Sequence, residues 1–416
     1  MQPSSTSHPS TRSPAVHSSA VLANVRYEIR GRLARRASEL ERQGYEILAL
    51  NIGNPGQFGF RTPETMRRAV VENLASAEPY CPSRGIFPAR EAVVLQHQNR
   101  GVMDVSADDV FMGNGVSELI DLTLRAMLNT GDEVLVPSPD YPLWTAAVNL
   151  NGGRAVHYPC RPERGFEPDA SDLEALITPR TRAMVVINPN NPSGAVYSRE
   201  SLAQLAALAE RHHLVLMCDE VYDQILYDGA QFVPMATLVR DTLCATYSGL
   251  SKVYRACGYR VGWVALSGNR DGAAHYLNAM ETLASLRLCS NVPGQWAVQT
   301  ALGGHQSIHQ LTAPGGRLYE SRQTVIDAVA SSDALRMQAP AGAIYAFLQV
   351  PSDVVPSFDD EAFAMELLEQ RHVLLVPGSS FNFPQRDHLR ITLLPDRETL
   401  EDVFSRIHDV LGSWRG

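Results

Sequence analysis

An α/β layered fold on a mostly parallel central sheet is the class this sequence predicts, and three observations carry the prediction. First, short apolar runs typical of strands buried on both faces recur from about residue 105: "DEVLVPSP" (132–139), "RAMVVINP" (182–189), "HLVLMCDE" (213–220), "TLCATYSG" (242–249) and "GWVAL" (262–266). Second, stretches with helical period lie between such runs, as expected of a sheet covered by helices. Third, the chain has 416 residues, more than the roughly 250–300 at which single cores stop growing, so a smaller domain is expected beside the large one.

In chain order, the opening "MQPSSTSHPSTRSPAVHSSA" is rich in Ser, Pro and Thr and lacks an apolar segment. It reads as a disordered tail, residues 1–22, not as a signal peptide or core. "GNGVSEL" (113–119) opens a helix behind Gly113 and Gly115, leaving backbone N–H groups and a positive dipole end available to a phosphate; an ordinary capped helix start has the same form. Along 117–128, Ile120, Leu124, Met127 and Leu128 share one stripe, and Leu202, Leu205 and Ala209 do the same around 199–212. Helical and mixed segments follow after about 305, ending in the strand-like "HLRITLLP" (388–395) and a final helix.

A net charge of −9 gives no electrostatic footprint for nucleic acid. Six scattered cysteines form no CxxC pair and no zinc set, which predicts reduced thiols in a cytoplasmic protein without a metal. Cys257 has a second reading as a reactive thiol. No run of 18 apolar residues exists, so no membrane span is expected.

Ligands of open α/β sheets gather beyond the carboxyl ends of strands, so the strand endings are informative. Three of them are polar: Asn188 to Gly194 in "NPNNPSG", Asp219-Glu220-Val221-Tyr222, and Ser248 to Lys252 in "SGLSK". The stretch "GLSKVYRACGYRVGW" (249–263) then crowds Lys252, Arg255 and Arg260 together, which calls for an anion among them. Arg260 offers a fork that matches phosphate, with Ser251 as a further donor; a surface salt bridge is the plainer role for the arginine. An amine crowded by cations attacks carbonyls more readily, because crowding disfavours its charged form. Amine plus phosphate cradle suggests a phosphorylated aldehyde. Pyridoxal phosphate also needs an acid facing its ring nitrogen, for which Asp219 is the candidate, although a strand-end Asp is often only a cap. Asn191 and Tyr222 can serve its phenolic oxygen.

These motifs resemble the class I pyridoxal-phosphate aminotransferases of fold type I from about residue 24 to the end, because Asn191, Asp219, Lys252, Arg260 and Arg390 keep the family's order and spacing. The wording of "NIGNPGQFGF", "PDYPLWTAAV", "INPNNPSGAVYS" and "TALGG" looks most like the bacterial alanine (glutamate–pyruvate) aminotransferases. The resemblance implies pyridoxal 5′-phosphate as cofactor, with Lys252 as the lysine that takes its aldehyde and Asp219 and Tyr222 beside it. It implies that Arg260, Ser251 and the amides of Gly115, Val116 and Ser117 hold the phosphate, with Tyr80 reaching in from the neighbouring subunit of a homodimer. Tyr141 matches the ring-stacking aromatic. Gly53, Asn191 and Arg390 match the substrate site, where Arg390 takes the α-carboxylate. Tyr27 and Arg30, in "VRYEIRG" (25–31), match an arm that folds over the site, and Arg287 is a weaker candidate for a distal carboxylate. Arg255 is expected in a structural ion pair. Ser193 and Gly249 depart from the family's commonest residues, but Ser193 keeps the hydroxyl and Ser248 adjoins Gly249. The implied domains are an N-terminal arm at 23–60 that joins the smaller domain, a large cofactor-binding domain at 61–305 and a small C-terminal α/β domain at 306–416.

The expected reaction moves an amino group between L-alanine/pyruvate and L-glutamate/2-oxoglutarate in ping-pong fashion. β-Elimination or transamination of another amino acid on the same scaffold is the alternative. A ligand-sensing regulator would need a basic helix-turn-helix segment, which the opening residues lack.

Overall fold

The protein is represented by a computed structural model that describes residues 16–25 and 31–415. Its strands are β1 (Leu48–Ala49), β2 (Val110–Gly113), β3 (Glu133–Ser138), β4 (Arg154–Pro159), β5 (Thr181–Ile187), β6 (Val215–Asp219) and β7 (Leu243–Gly249). They continue with β8 (Gly262–Gly268), β9 (Arg336–Met337), β10 (Tyr345–Gln349), β11 (Val373–Leu374), β12 (Val376–Pro377) and β13 (His388–Thr392).

Seven strands form the large sheet in the order β2-β8-β7-β6-β5-β3-β4. Alternate residues of each strand enter different cores, as the two-residue period of a pleated strand demands. In β5, Ala183, Val185 and Ile187 pack with Trp144 and the helix Val116–Met127, whereas Met184 and Val186 pack with Leu202 and Leu205 of the helix Arg199–Arg211. A sheet covered on both sides explains why its strands read as continuous apolar runs.

The apolar runs do not reveal every strand. β4 carries Arg154 and His157 and is largely half-buried at the sheet edge, and β2 is four residues long. β8 runs antiparallel to both β2 and β7. Residues 250–261, which separate β7 from β8, hold no α-helix but only a short 3-10 turn at Cys257–Tyr259, and the chain turns back beside itself.

The smaller domain holds a four-stranded antiparallel sheet, β12-β13-β10-β9. In its last helix, Arg397–Trp414, Leu400, Val403, Phe404, Ile407, Val410 and Leu411 form a buried stripe, and Asp396 caps the first turn by accepting from Thr399 N at 3.0 Å. Residues from the N-terminal helix Arg32–Arg42 join the same core, and β1 pairs in parallel with β11, Leu48 opposite Val373. That pairing brings residues 51–54 back to the mouth of the large sheet. Among the described residues, no helix is long and apolar enough to cross a membrane, and no cluster of three acidic, His or Cys side chains could hold a metal.

Candidate active site

A cavity of about 610 Å³ opens at the carboxyl ends of β5, β6 and β7 and is closed on its other side by residues of the smaller domain. Gly53, Val116, Ser117, Tyr141, Asn191, Asp219, Tyr222, Ser251, Lys252, Arg260 and Arg390 all line it, so most of the expected site converges. Another cavity, of about 520 Å³, lies at the opposite end of the sheet beside the starts of β6 and β7 and contains neither the lysine nor the cradle.

One end of the site is an anion cradle. Gly115 caps the helix Val116–Met127 with φ +85° and ψ 164°, a conformation essentially reserved for glycine. A methyl group there would also overlap the Arg260 guanidinium, its Cζ lying 3.0 Å from the added carbon. Arg260 is held by two carbonyls, donating from Nη1 to Cys257 O at 3.0 Å and from Nη2 to Asn114 O at 3.1 Å. An acid in the first turn of this helix would repel a bound anion, but Glu118 is drawn aside by Arg287 at 2.8 Å and by Asn114 N at 2.6 Å. Arg287 also donates to Ser83 O and Met112 O. It is therefore engaged in this ion pair and is absent from the cavity lining, where a distal-carboxylate group was expected.

At the centre, Lys252 Nζ donates to Gly53 O at 2.7 Å. Gly53 has no room for a side chain, since a Cβ would come within 2.8 Å of Tyr345 Cζ and 2.9 Å of Ile344 Cδ1. Asp219 ends β6, fully buried, and accepts from Trp144 Nε1 at 3.1 Å. Burial pushes its carboxyl up to about 6, against the Trp144 hydrogen bond, the Val221 amide and the Lys252 charge. Tyr222 donates to Tyr345 at 3.3 Å. Burial raises Tyr222 well above the ordinary phenol range, whereas Tyr345, though buried too, is lowered by the charges of Lys252 and Arg390.

The far end is built around Arg390, buried in β13. Its Nη1 donates to Asn191 Oδ1 at 3.0 Å and its Nη2 to Asn51 O. Its guanidinium lies 4.2 Å from the centre of the Tyr345 ring and 4.7 Å from that of Phe381. Because Asn191 Oδ1 is engaged by Arg390, its Nδ2 is the end left to face the cavity as a donor.

Some expectations fall elsewhere. Tyr80, expected to act on the neighbouring subunit, is 78% exposed and does not line the cavity of its own chain. Tyr27 and Arg30 lie outside the described residues. Among the described residues Arg255 finds no ion-pair partner: its guanidinium donates to Arg61 O, Val253 O and Ser307 Oγ at 3.2, 2.6 and 2.7 Å. Three neutral acceptors satisfy it, and burial lowers its pKa. Cys257 donates to Ser251 O at 3.0 Å, a structural contact at the cavity edge.

Sequence reasoning missed Trp144, Tyr345 and Phe381. Trp144 carried a local hint, three residues after Tyr141 in "PDYPLW". The other two carried none, because they reach the site from the smaller domain.

The donor set fits pyridoxal 5′-phosphate: a cradle that excludes a Cβ, a cation beside it, a lysine at the centre and a buried acid beyond. Comparison with known proteins agrees. A family model described as aminotransferase class I and II matches residues 45–407. The glutamate-pyruvate aminotransferase AlaA of Escherichia coli K12 is 46% identical over 399 residues, 96% of this chain and 98% of its own length. The alanine aminotransferase of Mycobacterium tuberculosis H37Rv is 47% identical over 405 residues, 97% of this chain and 94% of its own. A crystal structure of an aminotransferase from Escherichia coli matches with a TM-score of 0.95 at 46% identity, covering 97% of this chain and 100% of that one.

Proposed function

The chain belongs to the class I and II aminotransferases, and from that premise we propose that it exchanges an amino group between L-alanine and 2-oxoglutarate, giving pyruvate and L-glutamate. The observation that carries this choice is identity of 46–47% along nearly the whole chain to relatives named for alanine or glutamate-pyruvate transamination. The cavity suits it. Its lining cations are Lys252, Arg260 and Arg390, so among the described residues no fourth is placed to demand a second carboxylate from every substrate. A pocket that accepts alanine and glutamate in turn must avoid such a fixed charge. Tyr27 and Arg30 are our candidates for meeting the distal carboxylate when it is present.

When bound, pyridoxal 5′-phosphate supplies an aldehyde that condenses with amines and a protonated ring that accepts the electron pair left at Cα. The amides of Gly115, Val116 and Ser117, with Ser251 and Arg260, hold its phosphate. Tyr141 covers the ring, and Asn191 Nδ2 and Tyr222 donate to its phenolic oxygen. Asp219 keeps the proton on the ring nitrogen, an interaction that gains strength as charge develops in the transition state. Lys252 Nζ would hold the aldehyde and, as a free amine, would move the proton at substrate Cα. Arg390 grips the α-carboxylate common to all four substrates.

The enzyme works as a cytoplasmic homodimer in which Tyr80 serves the partner's phosphate. Its exposed ring and the free state of all six cysteines suit that reading. The arm, large domain and small domain divide near residues 60 and 305. Steady-state assays of alanine with 2-oxoglutarate test the substrate choice: it requires rates well above those for aromatic or branched-chain donors, and equal rates would overturn it.

A further inference from the structure

Asp140, the residue before Tyr141, is completely buried, yet it does not line the cavity. A buried carboxyl group needs partners, and this one finds them in both domains. Thr145 Oγ1 donates to its Oδ2 at 2.6 Å, and Asn382 Nδ2, from the smaller domain, donates to its Oδ1 at 2.8 Å. The same Asn382 amide reaches Thr145 Oγ1 at 3.3 Å, and His157 Nε2 lies 2.9 Å from that hydroxyl. Main-chain bonds run alongside, Asp140 N to Phe381 O at 2.9 Å and Ser138 Oγ to Asn382 O at 2.8 Å. Asn382 itself sits in left-handed backbone, φ +54°, which asparagine tolerates better than most side chains.

We propose that Asp140, Thr145 and Asn382 form a positioning clasp that fixes the Phe381 turn of the smaller domain to the large domain and so aims Arg390 at the substrate carboxylate. Phe381 is fully buried and forms one wall of the slot in which the guanidinium lies, opposite Tyr345. A planar fork engages a carboxylate well only within a narrow range of orientations, so loosening one wall costs substrate binding. The residue next to Asp140 is Tyr141, so one anchor sets both the ring-covering aromatic and the carboxylate grip. The inference rests on the reading of Arg390 as the carboxylate-binding residue.

The network has a definite tolerance. Burial pushes Asp140 up to about 7 and lowers His157, so the imidazole is neutral and can adopt either tautomer. An amide at position 140 can donate to Thr145 Oγ1, whose proton then turns to His157 Nε2; these two bonds survive with their sense reversed, and the Asn382 amide still donates to Oδ1 of residue 140. A methyl group at position 140 preserves neither of the two bonds that the carboxylate makes.

The test uses holoenzyme carrying Asp140→Ala, Asp140→Asn, Asn382→Gly or, as a control, Arg390→Lys. Asn382→Gly keeps the left-handed turn and removes only the amide. Asp140→Ala and Asn382→Gly should each raise KM for amino and 2-oxo acids, and the Kd of unreactive propionate by calorimetry, about tenfold while kcat changes little. Cofactor retention should match wild type, and Asp140→Asn should stay within about threefold. Unchanged KM and propionate affinity with a lowered Tm would reduce the clasp to a structural element and overturn the proposal. Equal damage from Asp140→Asn and Asp140→Ala would overturn the network. If Asp140→Ala does not fold, Asn382→Gly decides alone. An Arg390→Lys enzyme with normal KM would instead refute the carboxylate reading, a result distinct from silent clasp variants beside a damaged Arg390 variant.

Discussion

Replacing Gly115 with alanine should separate the two jobs of the phosphate cradle. The backbone at φ +85°, ψ 164° is strained for any residue with a Cβ, at about 1–3 kcal/mol, and that cost falls on the protein with or without cofactor. It lowers stability but cancels from the cofactor's dissociation constant. The added methyl also drives the Arg260 guanidinium from its place between Cys257 O and Asn114 O, which adds to the stability cost, and the guanidinium's absence from the phosphate is a second effect that appears only in the cofactor's dissociation constant. Losing one charge-assisted hydrogen bond is worth about 1.5–3 kcal/mol, so cofactor affinity should fall about 10- to 150-fold. Titrating apoprotein with pyridoxal 5′-phosphate measures the second effect, and chemical denaturation of the apoprotein measures the first. In an Arg260→Ala background, Gly115→Ala should cost little further affinity, because its target is already gone. Affinity within twofold of wild type for the single variant, or fully additive losses in the double variant, would refute the assignment of Arg260 to the phosphate.

Asp219→Asn keeps an acceptor for Trp144 but cannot hold the ring proton, so kcat should fall about 100- to 1000-fold with a much smaller change in cofactor affinity; an unchanged kcat places another acid at the ring nitrogen. Glu220 is fully buried, its Oε1 accepts from Met235 N at 3.0 Å, and burial pushes it from 4.5 up to about 8. The stability gained by keeping it protonated is fully present below about 4.5 and is lost as pH rises through about 8, at most on the order of 5 kcal/mol. Glu220→Gln should therefore gain on wild type in denaturant midpoint as pH rises across that window, and a pH-independent difference would contradict the buried-acid account. Subunits inactivated at Tyr80 and at Lys252 should regain partial activity when mixed and refolded, and demonstrably mixed dimers without recovery would show that each site is self-contained.

The chemistry of the site was legible where it is local in the chain. The eight-residue step from Lys252 to Arg260, the glycine-led helix at 113–119 and the polar ends of three apolar runs all lie within short stretches, and all reach one cavity. The strands of the covered sheet announced themselves for a similar reason: burial on both faces demands apolar residues at every position. Where that demand lapses, as in β4 with its Arg154 and His157, composition gives no signal.

Sequence by itself thus picked out groups that meet in the cavity: the amine of Lys252, the acid of Asp219, the guanidinium of Arg260 and the sheet ends that carry them. Tertiary structure alone decided the partners. Arg390 meets Asn51, Asn191, Tyr345 and Phe381, Asp219 meets Trp144, and Arg255 meets three neutral acceptors in place of the expected carboxylate. Direction was decided there too, since nothing in the apolar run of β8 says that it lies antiparallel to β2 and β7. The physical reason is one of range. Strand period, helix start and motif spacing arise from forces within a few residues, whereas partners such as Asn51 and Arg390, 339 positions apart, are chosen only when both domains have packed and each buried polar group must find a bond from whatever the fold has placed beside it.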